Sequence, residues 1–394
     1  MPLTLPEPDK NAQIHSARLC ELIAGEIEAN GGAISFYRFM EMALYQPGLG
    51  YYMAGARKFG EQGDFVTAAE ISPLFSQCLA NQCRQVLEQF ERPACILEIG
   101  AGSGRMAADI LARLARLDCL PDHYYILELS AELRERQQGT IAETVPHLSG
   151  SVRWLESLEG LQLHGVILAN EVLDAMPVRR FRQTEEELFE MTVSGDATGF
   201  HWSKTPADGA LRQRVARIQR AIGDPWLLPY ESEINPALEG WMAMIGDTLQ
   251  RGVALLIDYG YTASEYYHPE RRDGSLIGHY RHRVTTDPFL YPGLQDITAS
   301  VDFSSVRDAG ESAGLTLAGY TTQAQFLMSA GLPELYAEIM EQNADPASRF
   351  ELARQIKMLT LPSEMGERFQ VMAFSNDFQT PLSGFARGDR RYRL

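Results

Sequence analysis

The feature that most constrains this chain is the run Ala94-Cys95-Ile96-Leu97-Glu98-Ile99, which leads directly into Gly100-Ala101-Gly102-Ser103-Gly104. An apolar run of strand length passes into three glycines at alternate positions. An amphipathic pattern through Ala107, Ile110, Leu111 and Leu114 follows at once. This order reads as a buried parallel strand, a tight turn and a helix N-terminus. Glycine lets the backbone approach a ligand closely, and the first N–H groups of a helix have no intrahelical partner and face it. The spacing narrows the reading further. A dinucleotide fingerprint G-x-G-x-x-G counted from Gly100 needs a glycine where Arg105 stands. That disfavours an NAD-dependent oxidoreductase and leaves open a nucleotide-binding turn of some other α/β enzyme.

From residue 94 onward the hydrophobic period alternates between strand and helix, which implies an α/β chain with a parallel sheet covered on both faces. Strands are predicted at 94–99, 123–128, 151–155, 164–169 and 252–258, with two more near 315–320 and 368–374. Residues 1–93 read as a mainly helical N-terminal segment. Ala17, Leu19, Leu22, Ile23 and Ile27 form one stripe, and Ser72-Pro73 reads as an N-cap with proline in the first turn. Residues 94–260 read as a ligand-binding core with an insertion at about 178–240, in which 178–206 alternates as a hairpin. Residues 261–300 are rich in Tyr, Arg, His, Asp and Gly without periodicity, and are expected to be an irregular lid or substrate segment. Residues 301–394 complete the sheet.

Composition excludes several function classes. The net charge of −17 argues against nucleic acid or an anionic membrane as partner, because phosphate binding needs a basic surface. Five cysteines form no CxxC pair, and eight histidines show no metal-ligand spacing, so no metal is expected. No apolar run reaches membrane-spanning length. The N-terminus shows neither a signal-peptide core nor an Arg-rich presequence. These features lead to the expectation of a soluble, cytoplasmic protein in a reducing compartment.

The form acidic-x-G-x-G-x-G, from Glu98 to Gly104, resembles the first motif of the class I S-adenosylmethionine (SAM) methyltransferases. The resemblance implies a Rossmann-like seven-stranded class I methyltransferase fold with SAM as cofactor. Glu98, Gly100, Gly102 and Gly104 would meet the cofactor's tail and ribose. Glu128 ends the second strand, where a carboxylate would hold the ribose diol; a strand-end carboxylate can also simply cap the next helix. Leu155 and Glu156, after Trp154, would flank the adenine. In Asn170-Glu171-Val172-Leu173-Asp174, at the end of the fourth strand, Asn170 could hold the cofactor. Glu171 and Asp174 are three apart, so a helical turn would put both on one face; helix capping ended by Pro177 is the plainer alternative. An arginine side chain stays charged in proteins, and carboxylates can orient it and hold its charge away from the attacking nitrogen. Glu171, Asp174, Glu70 and Asp258 are the candidate catalytic carboxylates.

Taken together, further stretches resemble one family, the MidA-like methyltransferases, whose mitochondrial members act as complex I assembly factors. They are Gly48-Leu-Gly-Tyr-Tyr52, Gly63-Asp-Phe-Val-Thr-Ala-Ala-Glu-Ile-Ser72, Leu97–Gly104, Ala169–Val178, Leu256-Ile-Asp-Tyr-Gly260, Asp296–Phe303, Thr322–Leu327 and Met365–Phe369. Their order and spacing carry the resemblance. It implies a protein arginine methyltransferase acting on a protein partner, with a homodimer as an allowed assembly. Where the family has Ser-Pro-Glu, this chain has Ala68-Ala69-Glu70, which keeps the carboxylate and loses a stiffening proline. A small-molecule O- or N-methyltransferase and a non-catalytic assembly factor that keeps the fold stay open on the residues alone.

Overall fold

Seven strands run through the main sheet: β1 (Cys95–Ile99), β2 (His123–Leu127), β3 (Val152–Leu155), β4 (Leu163–Asn170), β5 (Leu249–Tyr261), β6 (Thr316–Thr322) and β7 (Phe369–Asn376). In the computed structural model their order is β6-β7-β5-β4-β1-β2-β3, and one further short strand off this path brings the sheet to eight rather than the expected seven. β1 to β5 pair in parallel, while β7 runs antiparallel to both β5 and β6. The described residues are 5–54, 67–91, 93–342 and 345–394. Residues 63–66 of the Gly63–Ser72 motif lie outside them.

The described residues form two compact units. The larger takes in 66–172, 239–260 and 303–394 and holds the sheet; the smaller takes in 1–65, 173–238 and 261–302. In the larger unit, β1 and β4 are buried over most of their length, as expected of strands covered on both faces. Helix α1 (Ala68–Ile71) leads into α2 (Pro73–Leu87), which Ser72 caps with Pro73 in the first turn. Helix α3 (Arg105–Arg116) follows the glycines and buries Met106, Ala107, Ile110, Leu111 and Leu114. Helix α4 (Ala131–Thr144) is capped by Ser130 and buries Leu133, Gln137 and Ile141.

The smaller unit opens with the helix Lys10–Ala29, which buries Leu19, Ile23 and Ile27 and leaves Leu22 exposed. The expected hairpin is present: Leu188–Asp196 pairs antiparallel with Gly199–Pro206, and also with Arg179–Gln183. The expectation that 261–300 is irregular is corrected. This stretch carries a helical turn at Ala263–Tyr266, with Thr262 and Glu265 as a capping box. It also carries a three-stranded antiparallel sheet of Ile277–Tyr280, Arg283–Thr285 and Asp296–Thr298. The strands have three or four residues each, too short for a period of two to stand out in the sequence.

Helix α5 (Phe303–Ser312) packs so closely on β7 that the Phe374 ring occupies the space a Cβ on Gly310 would need. In an exposed helix, Gly→Ala gains about 1 kcal/mol. Here the sign is expected to reverse, because overpacking costs about 1–3 kcal/mol. Denaturant titration should show Gly310→Ala less stable than the parent, with Gly310→Ala/Phe374→Leu recovering part of the loss.

Candidate functional site

In a parallel sheet, ligands bind beyond the carboxyl ends of the strands, at the point where strand order reverses. Here the chain steps outward from β1 to β2 and β3, then returns to the other side of β1 as β4. The switch point is therefore between β1 and β4. The glycine turn follows β1 and Asn170-Glu171 follows β4.

The turn has the conformation its composition predicts. Gly100, Gly102 and Gly104 all have positive φ, at 69°, 52° and 83°. A Cβ on Gly104 would sit 2.9 Å from the Cα of Gln137, so no side chain fits between this turn and α4. Ser103 Oγ accepts from the N–H of Arg105 at 3.3 Å. The same hydroxyl donates to the Glu70 carboxylate, which brings α1 onto the glycine turn.

Glu98 lies in β1 and is 1% exposed. Burial pushes its carboxyl up to about 7; the Tyr124 hydroxyl, donating to Oε2 at 2.6 Å, works against that rise. Glu128 follows β2. Its Oε1 accepts from the N–H of Ser130 at 2.9 Å, and its Oε2 accepts from Gln137 Nε2 at 2.9 Å. Burial raises its pKa while these two donors oppose the rise. The carbonyl of Leu155, at the end of β3, accepts from the N–H of Glu128 at 3.3 Å. Glu156 points outward, with its side chain 81% exposed and Arg134 at 3.2 Å.

On the other side of the switch point, Asn170 Nδ2 donates to Glu171 Oε1 at 3.1 Å, while Asn170 Oδ1 is buried with no hydrogen-bond partner. Glu171 has φ of 53°, a left-handed conformation that is strained for a side chain with a Cβ. Its N–H donates to the Ile257 carbonyl at 2.9 Å. The expected helical turn carrying Glu171 and Asp174 on one face is therefore corrected: no helix forms there, because the Glu171 backbone is turned toward β5. Asp174 falls in the smaller unit, where its carbonyl accepts from the N–H of Ala299 at 3.0 Å. Asp258 is buried in β5 and accepts from the N–H of Tyr259 at 2.8 Å. No group of three or more metal-binding side chains occurs among the described residues.

The residue that sequence reasoning missed is Gln137. It is fully buried on α4. Nε2 donates to the Gly102 carbonyl at 3.1 Å as well as to Glu128, and Oε1 accepts from Trp154 Nε1 at 2.9 Å. A signal for it existed, since Gln137 takes the middle position of the i, i+4 stripe Leu133–Gln137–Ile141. A polar side chain there must find partners.

Residues 78–321 match the model of a family described as S-adenosyl-L-methionine-dependent methyltransferases. A crystal structure of a protein from Burkholderia thailandensis bound to S-adenosyl-homocysteine (SAH) is 42% identical, with a TM-score of 0.93, over 99% of this chain and 100% of that one. Mouse "protein arginine methyltransferase NDUFAF7, mitochondrial" is 27% identical over 87% of this chain and 81% of its own length. The zebrafish protein of the same name is 28% identical over 90% and 86%. The chain belongs to this family and is a SAM-dependent methyltransferase. The cytoplasmic expectation is corrected, because these curated relatives are named as mitochondrial proteins. Among the described residues no helix is long and apolar enough to cross a membrane.

The buried Glu98 makes stability depend on pH. Between its ordinary value of 4.5 and about 7, the folded chain keeps a proton that the unfolded chain has released. Stability therefore falls as pH rises through that window. Glu98→Gln keeps an acceptor for Tyr124 and removes the titration. Thermal or urea unfolding should find the variant level with the parent near pH 4.5 and more stable near pH 8, by about 3 kcal/mol at most. A parallel pH profile in the two proteins would refute this.

Proposed function

We propose that this methyltransferase acts on the guanidinium of an arginine in a protein substrate. The observation that carries the reading is the strained Glu171 at the carboxyl end of β4, beside the glycine turn's side of the switch point. Backbone strain of this kind costs about 1–3 kcal/mol and clusters at functional sites. Its carboxylate is oriented by the Asn170 amide. The names of the mouse and zebrafish relatives, both protein arginine methyltransferases, support the same acceptor class.

SAM would supply an already activated methyl group, so what remains for the protein is to bind, align and exclude water. The residues present fit such a ligand. The glycine turn holds three positive-φ glycines whose backbone carries no side chain toward a ligand, and the orphaned Asn170 Oδ1 is an acceptor waiting for a donor. In this reading Gly100, Gly102 and Gly104 hold the cofactor's tail, Glu128 accepts from the ribose hydroxyls, and Leu155 flanks the adenine. Glu156, largely exposed, stands at the rim. Glu98 acts from beneath, shaping the turn. Glu70 follows the glycine turn through Ser103, which suits the cofactor side better than the acceptor side.

Glu171 would hold the guanidinium, keep its positive charge away from the attacking nitrogen and take the proton that nitrogen sheds. The buried Asp258 adds negative potential to the larger unit. Asp174 belongs to the smaller unit and is not needed for this role.

Glu171→Gln keeps size and removes charge. The expected result is SAM and SAH affinity within about twofold of the parent by calorimetry, with methyl transfer into protein reduced by about 10²–10³, the usual weight of a positioned electrostatic group. Radiolabelled transfer into a cell extract, resolved by size, reads both points. Label only in small molecules, or full activity in the variant, would sink the proposal.

A further inference from the structure

We infer that Gln137 is a positioning residue for the cofactor: its buried amide aims the Glu128 carboxylate and ties it to the glycine turn. This rests on the proposed ribose role of Glu128. The orientation of the amide follows from its partners. The Trp154 indole N–H can only donate, and the Gly102 carbonyl can only accept, so Oε1 must face Trp154 and Nε2 must face Gly102 and Glu128. Both Nε2 hydrogens are thereby used. One planar group joins the turn after β1, the carboxylate after β2 and the indole of β3.

The chemistry admits no other charge state. A carboxylate at this position would repel Glu128 and lose the donors. An ammonium would have nothing to offer the Trp154 N–H. A thioether or alkyl chain would leave the Gly102 carbonyl, the indole N–H and one Glu128 oxygen without partners, at a cost that buried polar groups always incur. Burial pushes the Glu128 carboxyl up, and the Gln137 amide is one of the donors that hold it down. Removing the amide should therefore let Glu128 take up a proton at higher pH, and a protonated carboxyl is a poorer acceptor for two hydroxyls.

The test is calorimetry of SAH binding to the full chain, with unfolding temperature measured alongside. Gln137→Met is expected to weaken SAH by roughly tenfold to a hundredfold at neutral pH, as for a lost hydrogen bond to a charged group. The loss should grow as pH is lowered. In a Glu128→Gln background the same substitution should show no such pH dependence, which a purely structural role for Gln137 would not produce. Trp154→Phe, which removes the donor that orients the amide, should weaken SAH in the same direction and keeps the test open if Gln137→Met does not fold. Wild-type affinity in Gln137→Met overturns the inference, as does a pH-independent loss that simply tracks lost stability. Glu128→Ala separates the two layers. Unchanged SAH affinity there would overturn the ribose reading itself, whereas weakened binding in Glu128→Ala with intact binding in Gln137→Met would overturn only the role of Gln137.

Discussion

The reversal of strand order between β1 and β4 is the constraint on which the rest of the larger unit depends. Parallel strands deliver their carboxyl ends to one edge, and each must return through a crossover. Because the chain leaves β1 toward β2 and comes back to its other side at β4, the segments that follow those two strands diverge. In a sheet of this topology a gap opens there, and the flanking segments carry three left-handed glycines on one side and Asn170-Glu171 on the other. A Cβ on Gly100 would lie 3.1 Å from Val172 Cγ2, so the two segments meet closely where the gap begins.

Around that gap the polar groups are tuned by burial more than by partner charges. Glu98 sits in the sheet with a tyrosine hydroxyl as its donor, and its carboxyl rises to about 7. Glu128 is raised for the same first reason, but backbone and amide donors oppose it. The two carboxylates therefore suit different tasks. One is held in the core close to neutrality, and the other is kept available as an acceptor. Environments that push like groups apart are how one chain assigns different work to the same side chain.

The fold was largely legible in the amino-acid order, because its signals are local. The run Cys95–Ile99, the glycines after it and the stripe Met106–Leu114 specify strand, turn and helix within some twenty residues. The hairpin around Asp196–Gly199 was equally readable. The strands at 277–280, 283–285 and 296–298 were not. They are short and polar, and they are recognisable only through the partners they pair with. The turn at Glu171 also escaped, since a spacing of three suggested a helix and a backbone bond to Ile257 decided otherwise.

The sequence by itself determined the α/β class, the glycine turn and the carboxylates available near it, since period, turn chemistry and residue type act over a few neighbours. Tertiary structure alone decided which of those groups are buried, how Glu98 titrates, that Glu171 is strained, and that Gln137 stands at the junction of three strands. The sheet's eighth strand and the assembly of two units from interleaved stretches also belong to that level. The physical reason is that desolvation and hydrogen-bond partnership depend on what the rest of the chain brings alongside, and residues such as Gly102, Glu128, Gln137 and Trp154 become partners only after the chain has closed around them.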